Sequence, residues 1–177
     1  GRELRQVNLE GEAYFEVTKD EARCFNVIME GATIEVMGTS FNASCYPGEG
    51  QCWAVLESGK INLRTDHGVA AVNVGECASY DIASGKVTVE SVDLKYFTSW
   101  RYGTFYFYNT PLSEIVQKLG RWYDVNFKFA DESLREVCFF GAALRSKPID
   151  FMLELLSSTQ SLKFDIQSDG MIIIYKK

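Results

Sequence analysis

The chain has 177 residues, 46% of them hydrophobic and 14% aromatic, which is enough for the cores of one or two compact domains and too short for many. Charged residues make up 24% and both signs are interspersed, as in a folded chain and unlike a disordered one. The net charge of −6, with no Lys/Arg-dense stripe, removes nucleic acid and anionic membrane surfaces from the expected partners.

No run approaches the ~18 apolar residues a membrane helix needs. Gly1-Arg2-Glu3-Leu4-Arg5 lacks the apolar centre of a signal peptide, so the expected chain is soluble as given. From Leu9 to Val92 the sequence reads as short alternating or β-branched stretches: 13–17, 24–29, 33–36, 41–46, 52–57, 60–63, 70–74 and 86–89. Asp66-His67-Gly68, Val74-Gly75-Glu76 and Ala83-Ser84-Gly85 punctuate them as turns. The expected N-terminal unit, residues 1–92, is all-β: a sandwich, a roll or a short solenoid.

Five cysteines at irregular spacing fit neither a dense disulfide framework nor a zinc site. Cys45 and Cys52 are the best candidate pair. If Pro47-Gly48-Glu49-Gly50 is a hairpin loop, they face each other across two strands, within ~4.5 to 5.5 Å. The alternative is two small buried hydrophobes.

Residues 93–103 form an aromatic junction between two differently built modules. Tyr96, Phe97 and Trp100 are expected to bury there and to stiffen the joint. Residues 104–177 change character. Phe105-Tyr106-Phe107-Tyr108 reads as a strand, and Thr110-Pro111 reads as a helix start, with Thr110 as cap and Pro111 in the first turn. Leu112, Ile115, Val116, Leu119, Trp122 and Tyr123 line one helical face. Val125, Phe127 and Phe129 alternate with Asn126 and Lys128 as a strand.

The pattern then recurs. Pro148, Ile149, Met152, Leu153, Leu156, Leu162, Phe164 and Ile166 repeat Pro111, Leu112, Ile115, Val116, Leu119, Val125, Phe127 and Phe129 at a constant offset of 37 residues. The expected C-terminal module is therefore two β-α-β repeats, the second opening at 137–143, with 171–175 as a last strand. The whole chain is expected to be α+β.

At this point a family resemblance emerges. Leu9-Glu10-Gly11-Glu12-Ala13-Tyr14-Phe15-Glu16-Val17, Val36-Met37-Gly38-Thr39-Ser40-Phe41-Asn42, Leu56-Glu57-Ser58-Gly59-Lys60-Ile61 and Val74-Gly75-Glu76 resemble successive landmarks of the FecR domain. Tyr96 to Phe105 and Asn109-Thr110-Pro111-Leu112-Ser113-Glu114-Ile115 resemble the C-terminal region of Bacteroidetes FecR-like regulators, which is similar to the short N-terminal domain of secretins and TonB-dependent transducers.

The resemblance implies an anti-sigma regulator whose periplasmic part listens to the signalling domain of a TonB-dependent outer-membrane transducer. It also implies an inner-membrane anchor and a cytoplasmic segment for an ECF sigma factor, both outside this chain. Family members carry further strands ahead of the Gly11 landmark, so a strand here is expected to lack its partner and present an edge.

The residues themselves nominate no chemistry. His67 is the one histidine and sits in a turn, and there is no Gly-x-Ser-x-Gly elbow, Walker loop or Gly-x-Gly-x-x-Gly helix start. No catalytic, cofactor-binding or metal residue is nominated, and no cofactor is expected. The expected interaction is docking to protein partners, with no partner-binding residue identified. Gln117, Lys118 and Arg121 read as a solvated helix face. The alternative function is a carbohydrate-binding module or cell-surface adhesion domain, using Tyr96, Phe97, Trp100, Tyr102, Phe105, Tyr106, Phe107 and Tyr108 as a stacking platform.

Overall fold

The structure, a computed structural model, describes residues 5–159 and 161–177. Strands dominate and helices are few, an α+β composition. The chain divides into two compact units, Gly1–Thr98 and Ser99–Lys177.

The first unit holds β1 (Arg5–Asn8), β2 (Gly11–Val17), β3 (Phe25–Met29), β4 (Ala32–Val36), β5 (Thr39–Cys45), β6 (Gln51–Ser58), β7 (Ile61–Thr65), β8 (Gly68–Val72), β9 (Glu76–Asp81), β10 (Val87–Ser91) and a short helix, α1 (Lys95–Thr98). Two five-stranded sheets result, ordered β1-β3-β4-β7-β8 and β10-β9-β6-β5-β2. The β1–β3 pair is parallel and the others are antiparallel.

Alternation explains the faces. In β4 the side chains of Ala32, Ile34 and Val36 are buried, and in β7 those of Ile61 and Leu63, while Asn62 and Arg64 are exposed. Both sheets supply one core, with Ile34, Val27 and Leu63 from the first and Phe41, Ala43, Leu56 and Tyr80 from the second. Phe15 stacks on Phe41 at 4.9 Å between ring centroids.

Two glycines of the landmark segments are required by close approach. Gly38 has φ 153°, and a Cβ there would lie 2.6 Å from Cα of Lys19. Gly59 has φ 90°, and a Cβ there would lie 2.6 Å from the Gly38 carbonyl oxygen. The Thr39 hydroxyl donates to the Lys60 carbonyl at 3.0 Å, closing the same corner. Cys45 and Cys52 pair directly across β5 and β6, with Cα atoms 4.3 Å apart, and are disulfide-bonded.

Two strands escape the sequence pattern. β1 is a polar edge strand that, among the described residues, pairs in parallel with β3. β9 lies between β10 and β6 and buries Cys77, Ala78 and Tyr80, so its small and polar residues mask any alternation.

The second unit opens with a 3₁₀ turn at Ser99–Tyr102. It continues through β11 (Thr104–Pro111), α2 (Leu112–Tyr123), β12 (Asn126–Phe129), a 3₁₀ turn at Glu132–Glu136, β13 (Cys138–Leu144), α3 (Ile149–Thr159), β14 (Leu162–Ile166) and β15 (Met171–Lys176). β11 and β13 form an antiparallel ribbon, and the remaining strands form a sheet ordered β12-β15-β14. Each sequence repeat therefore sends its first strand to the ribbon and its second to the sheet. The apolar face of α2 is as expected, with Leu112, Ile115, Val116 and Leu119 buried and Trp122 and Tyr123 packed at the rim of the same core.

The helix start differs from expectation. Thr110 and Pro111 belong to β11, Pro111 is the N-cap, and no side chain caps the helix. The N–H of Leu112 instead donates to the Val137 carbonyl at 2.8 Å. The Thr110 hydroxyl accepts from the Tyr108 N–H at a break in the β11–β13 register, where Asn109 takes φ 52°.

The repeat is faithful over the helices and their first strand residues and then diverges. Ile115, Val116 and Leu119 are buried as are Met152, Leu153 and Leu156, whereas Phe129 is 8% exposed and its counterpart Ile166 is 52% exposed.

Candidate docking surface

The ribbon of the second unit separates its side chains by the two-residue period of a strand. Phe105 and Phe107 point inward, 5.2 Å apart edge to face, and Phe105 meets Trp122 at 6.1 Å. Lys118 is half-buried, not solvated, with its ammonium 4.1 Å from the Phe105 ring centroid. Tyr106 and Tyr108 lie on the opposite face of the strand.

Strand β13 adds the rest of that outer face. Phe139 and Ala143 are buried, while Phe140 is 63% and Leu144 42% exposed. Tyr108, 67% exposed, meets Phe140 edge to face at 5.1 Å. Tyr106, Tyr108, Phe140 and Leu144 thus place apolar surface on the outer face of a two-stranded ribbon, the kind of surface that marks an interaction site. Sequence reading puts Tyr106 and Tyr108 together. It misses Phe140 and Leu144, because the Phe139-Phe140 doublet hides which ring faces out.

Each helix also makes a groove with the strand that follows it. One is lined by Ser113, Gln117, Gly120 and Arg121 of α2 and by residues of β12, the other by Asp150, Glu154 and Ser157 of α3 and by residues of β14. Gln117 is exposed and Arg121 half-buried at the first of these. In the N-terminal unit, a cleft of about 790 Å³ is lined by Lys19, Cys24, Met37, Gly38 and Lys60 among others.

His67 is exposed in the two-residue turn between β7 and β8, with its ring against Gly85. Burial pushes the Cys77 thiol up to about 11, which leaves it protonated and a poor nucleophile at neutral pH. Among the described residues no group of three or more His, Cys, Asp or Glu side chains could hold a metal ion. No described helix is long and apolar enough to cross a membrane.

At the junction, Tyr96, Phe97 and Trp100 are all half-buried. Phe97 meets Trp53 edge to face at 5.2 Å within the first unit. Trp100 Nε1 is buried with no described hydrogen-bond partner.

Two family models match the chain: the FecR protein over residues 1–62, and the FecR C-terminal region over residues 104–174. The chain belongs to the FecR family. Its fold is that of two crystal structures described as a candidate anti-sigma factor from Parabacteroides distasonis ATCC 8503, at 1.65 and 2.50 Å resolution. Both are 24% identical in sequence and cover 98% of this chain and 81% of the other; the TM-scores are 0.87 and 0.85. No curated protein matches the sequence. The landmark residues of the N-terminal match include Gly38, whose lack of a side chain the Lys19 backbone demands.

Proposed function

We propose that this chain is the periplasmic, signal-receiving region of a membrane-anchored anti-sigma factor, which relays the ligand status of a TonB-dependent outer-membrane transducer to an ECF sigma factor by protein docking. The observation that carries the reading is the double FecR match, one model on each unit, together with likeness over 98% of the chain to structures described as a candidate anti-sigma factor.

In this reading the sigma factor is held by a cytoplasmic segment of the full-length regulator, and the periplasmic region senses the transducer. The work of this region is recognition, so the residues that matter are exposed apolar faces and open strand edges. The outer ribbon face of Tyr106, Tyr108, Phe140 and Leu144 suits that role. In this reading the C-terminal unit receives the signal and the N-terminal unit transmits it.

The test is a transcriptional reporter for the sigma factor in cells carrying the full-length regulator. Replacing Tyr108 and Phe140 together by serine uncouples the reporter from the transducer's ligand while leaving regulator abundance unchanged. Normal ligand response in that variant contradicts a role for this face in receiving the signal.

A sugar-stacking reading has one observation in its favour, the exposure of Tyr102, Tyr106 and Tyr108. The buried Phe105 and Phe107, members of the same run, serve the core instead.

A further inference from the structure

Strand β13 carries an open edge. The Arg145 N–H donates to the Gly103 carbonyl at 2.8 Å, and the register pairs Phe105 with Ala143 and Phe107 with Gly141, so the odd-numbered residues of β13 turn their peptide groups toward β11. The parity survives the bulge in β11: the Leu112 N–H donates to the Val137 carbonyl at 2.8 Å, and Thr110 pairs with Phe139. Cys138, Phe140, Ala142 and Leu144 therefore turn theirs the other way, where no strand pairs with β13 among the described residues. Their side chains share the outer face, with Phe140 and Leu144 exposed and Cys138 and Ala142 half-buried.

The other strand edges of this unit are blunted. β11 carries the bulge, its Tyr108 N–H donates to the Thr110 hydroxyl, and Pro111 has no N–H. β12 carries Lys128, and β14 carries Lys163 and Asp165. The seven residues of β13 hold neither a charge nor a proline.

Side-chain size along β13 is self-matching. The large residues Phe139, Phe140 and Leu144 mirror the small residues Ala143, Ala142 and Cys138 about Gly141. We propose that β13 pairs antiparallel with β13 of a second copy of this chain, about a two-fold axis at Gly141. In that register Phe140 lies opposite Ala142 of the second copy and Leu144 opposite Cys138 on the outer face, and Phe139 lies opposite Ala143 on the inner face. Cys138, Phe140, Ala142 and Leu144 each donate and accept across the axis. At the axis the two Gly141 residues bring no side chain to the point where the backbones come closest, about 4.5 Å between Cα atoms.

Neighbouring registers fit worse. An axis at Phe140 sets that ring on its own copy, and an axis at Ala142 sets Phe140 on Leu144. With the axis at Gly141, Arg145 falls against Val137 and Glu136 against Ser146 past the strand ends, so no like charges are opposed. The product is one sheet ordered β11-β13-β13-β11, with Tyr106, Tyr108, Phe140 and Leu144 of both copies on the same face. Dimerisation leaves that face uncovered, so it neither needs nor prevents docking of the transducer.

The test follows the whole chain by sedimentation and by amide hydrogen exchange from ~10 µM to ~1 mM, the range suited to a small, weak interface. The expected result is a reversible dimer, with exchange at the Phe140 and Ala142 amides slowed about tenfold across that range, while Gly141 and Ala143, already bonded to β11, stay protected throughout. Ala142→Glu sets two carboxylates diagonally across the axis, and Ala142→Pro removes an outward N–H alone. Each restores the monomer and leaves the protection of Gly141 and Ala143 in place. Leu144→Cys reports the register: mild oxidation links it to Cys138 of the second copy, and adding Cys138→Ser abolishes the link. A monomer at ~1 mM, a dimer in which the Phe140 and Ala142 amides still exchange fast, or a crosslink that persists without Cys138 overturns the proposal. Each of these outcomes leaves the transducer reading intact, because the Tyr108 and Phe140 reporter assay measures that separately.

Discussion

The Asn42 side-chain amide donates to the main-chain carbonyl of Phe97 at 2.7 Å, joining residues 55 apart in the chain, and also to the Glu12 carboxylate at 2.8 Å. Asn42 is fully buried. A landmark residue of the FecR motif therefore ties the end of the N-terminal unit, through α1, to strand β5 of its second sheet. Phe97 is held there from its side chain too, against Trp53.

Asn42→Ala strands a buried carbonyl and leaves the Glu12 carboxylate short of a donor. A loss of about 1–3 kcal/mol is expected in urea melts. The signature that separates this from general loosening is Trp53 fluorescence, which shifts because Phe97 is released. Unchanged stability contradicts the tie.

Gly59→Ala sets a Cβ against the Gly38 carbonyl oxygen and the Thr39 hydroxyl, in a backbone region that L side chains avoid. Gly48 also has positive φ, but nothing lies within 4 Å of a Cβ there. Gly48→Ala is therefore expected to cost about 1 kcal/mol from strain alone, and Gly59→Ala distinctly more. Equal costs for the two variants contradict the close approach.

The repeat makes matched predictions. Leu119→Ala and Leu156→Ala each remove a fully buried side chain and are expected to cost about 2–5 kcal/mol. Phe129→Ala falls in the upper half of that range, whereas its counterpart Ile166→Ala stays within about 0.5 kcal/mol because Ile166 is mostly exposed. Chemical denaturation of the four variants checks the divergence directly.

Thiol titration of the denatured, unreduced chain is expected to find three free cysteines, Cys24, Cys77 and Cys138, with Cys45 and Cys52 bonded. In the native chain at pH 8, Cys77 reacts last. Burial limits access and raises its thiol, so little thiolate forms until pH climbs toward 11. Five free thiols after denaturation contradict the Cys45–Cys52 bond.

Much of this was legible from residue order. Alternation located β4, β7 and β12, helical spacing placed Leu112, Ile115, Val116 and Leu119 on one buried face, and the register of the β5–β6 hairpin set Cys45 against Cys52. Non-local pairing was not legible: nothing local in Arg5–Asn8 signals parallel addition to β3, and β9 lies between β6 and β10 with Ser and Cys where alternation should show. The Thr110 cap failed because a main-chain carbonyl from Val137 already serves the helix start. The outer ribbon face was half legible. Tyr106 and Tyr108 follow from strand parity, but Phe140 and Leu144 join them only through the β11–β13 pairing.

The measurement that tests the central claim most directly is calorimetric titration of this chain with the isolated periplasmic signalling domain of the transducer encoded beside it, with an oligosaccharide panel in parallel. The account predicts saturable one-to-one binding to the signalling domain, weakened by changes at Tyr108 and Phe140, and silence from the sugars. No protein binding with clear heat from a glycan contradicts it and makes the exposed tyrosines a sugar platform.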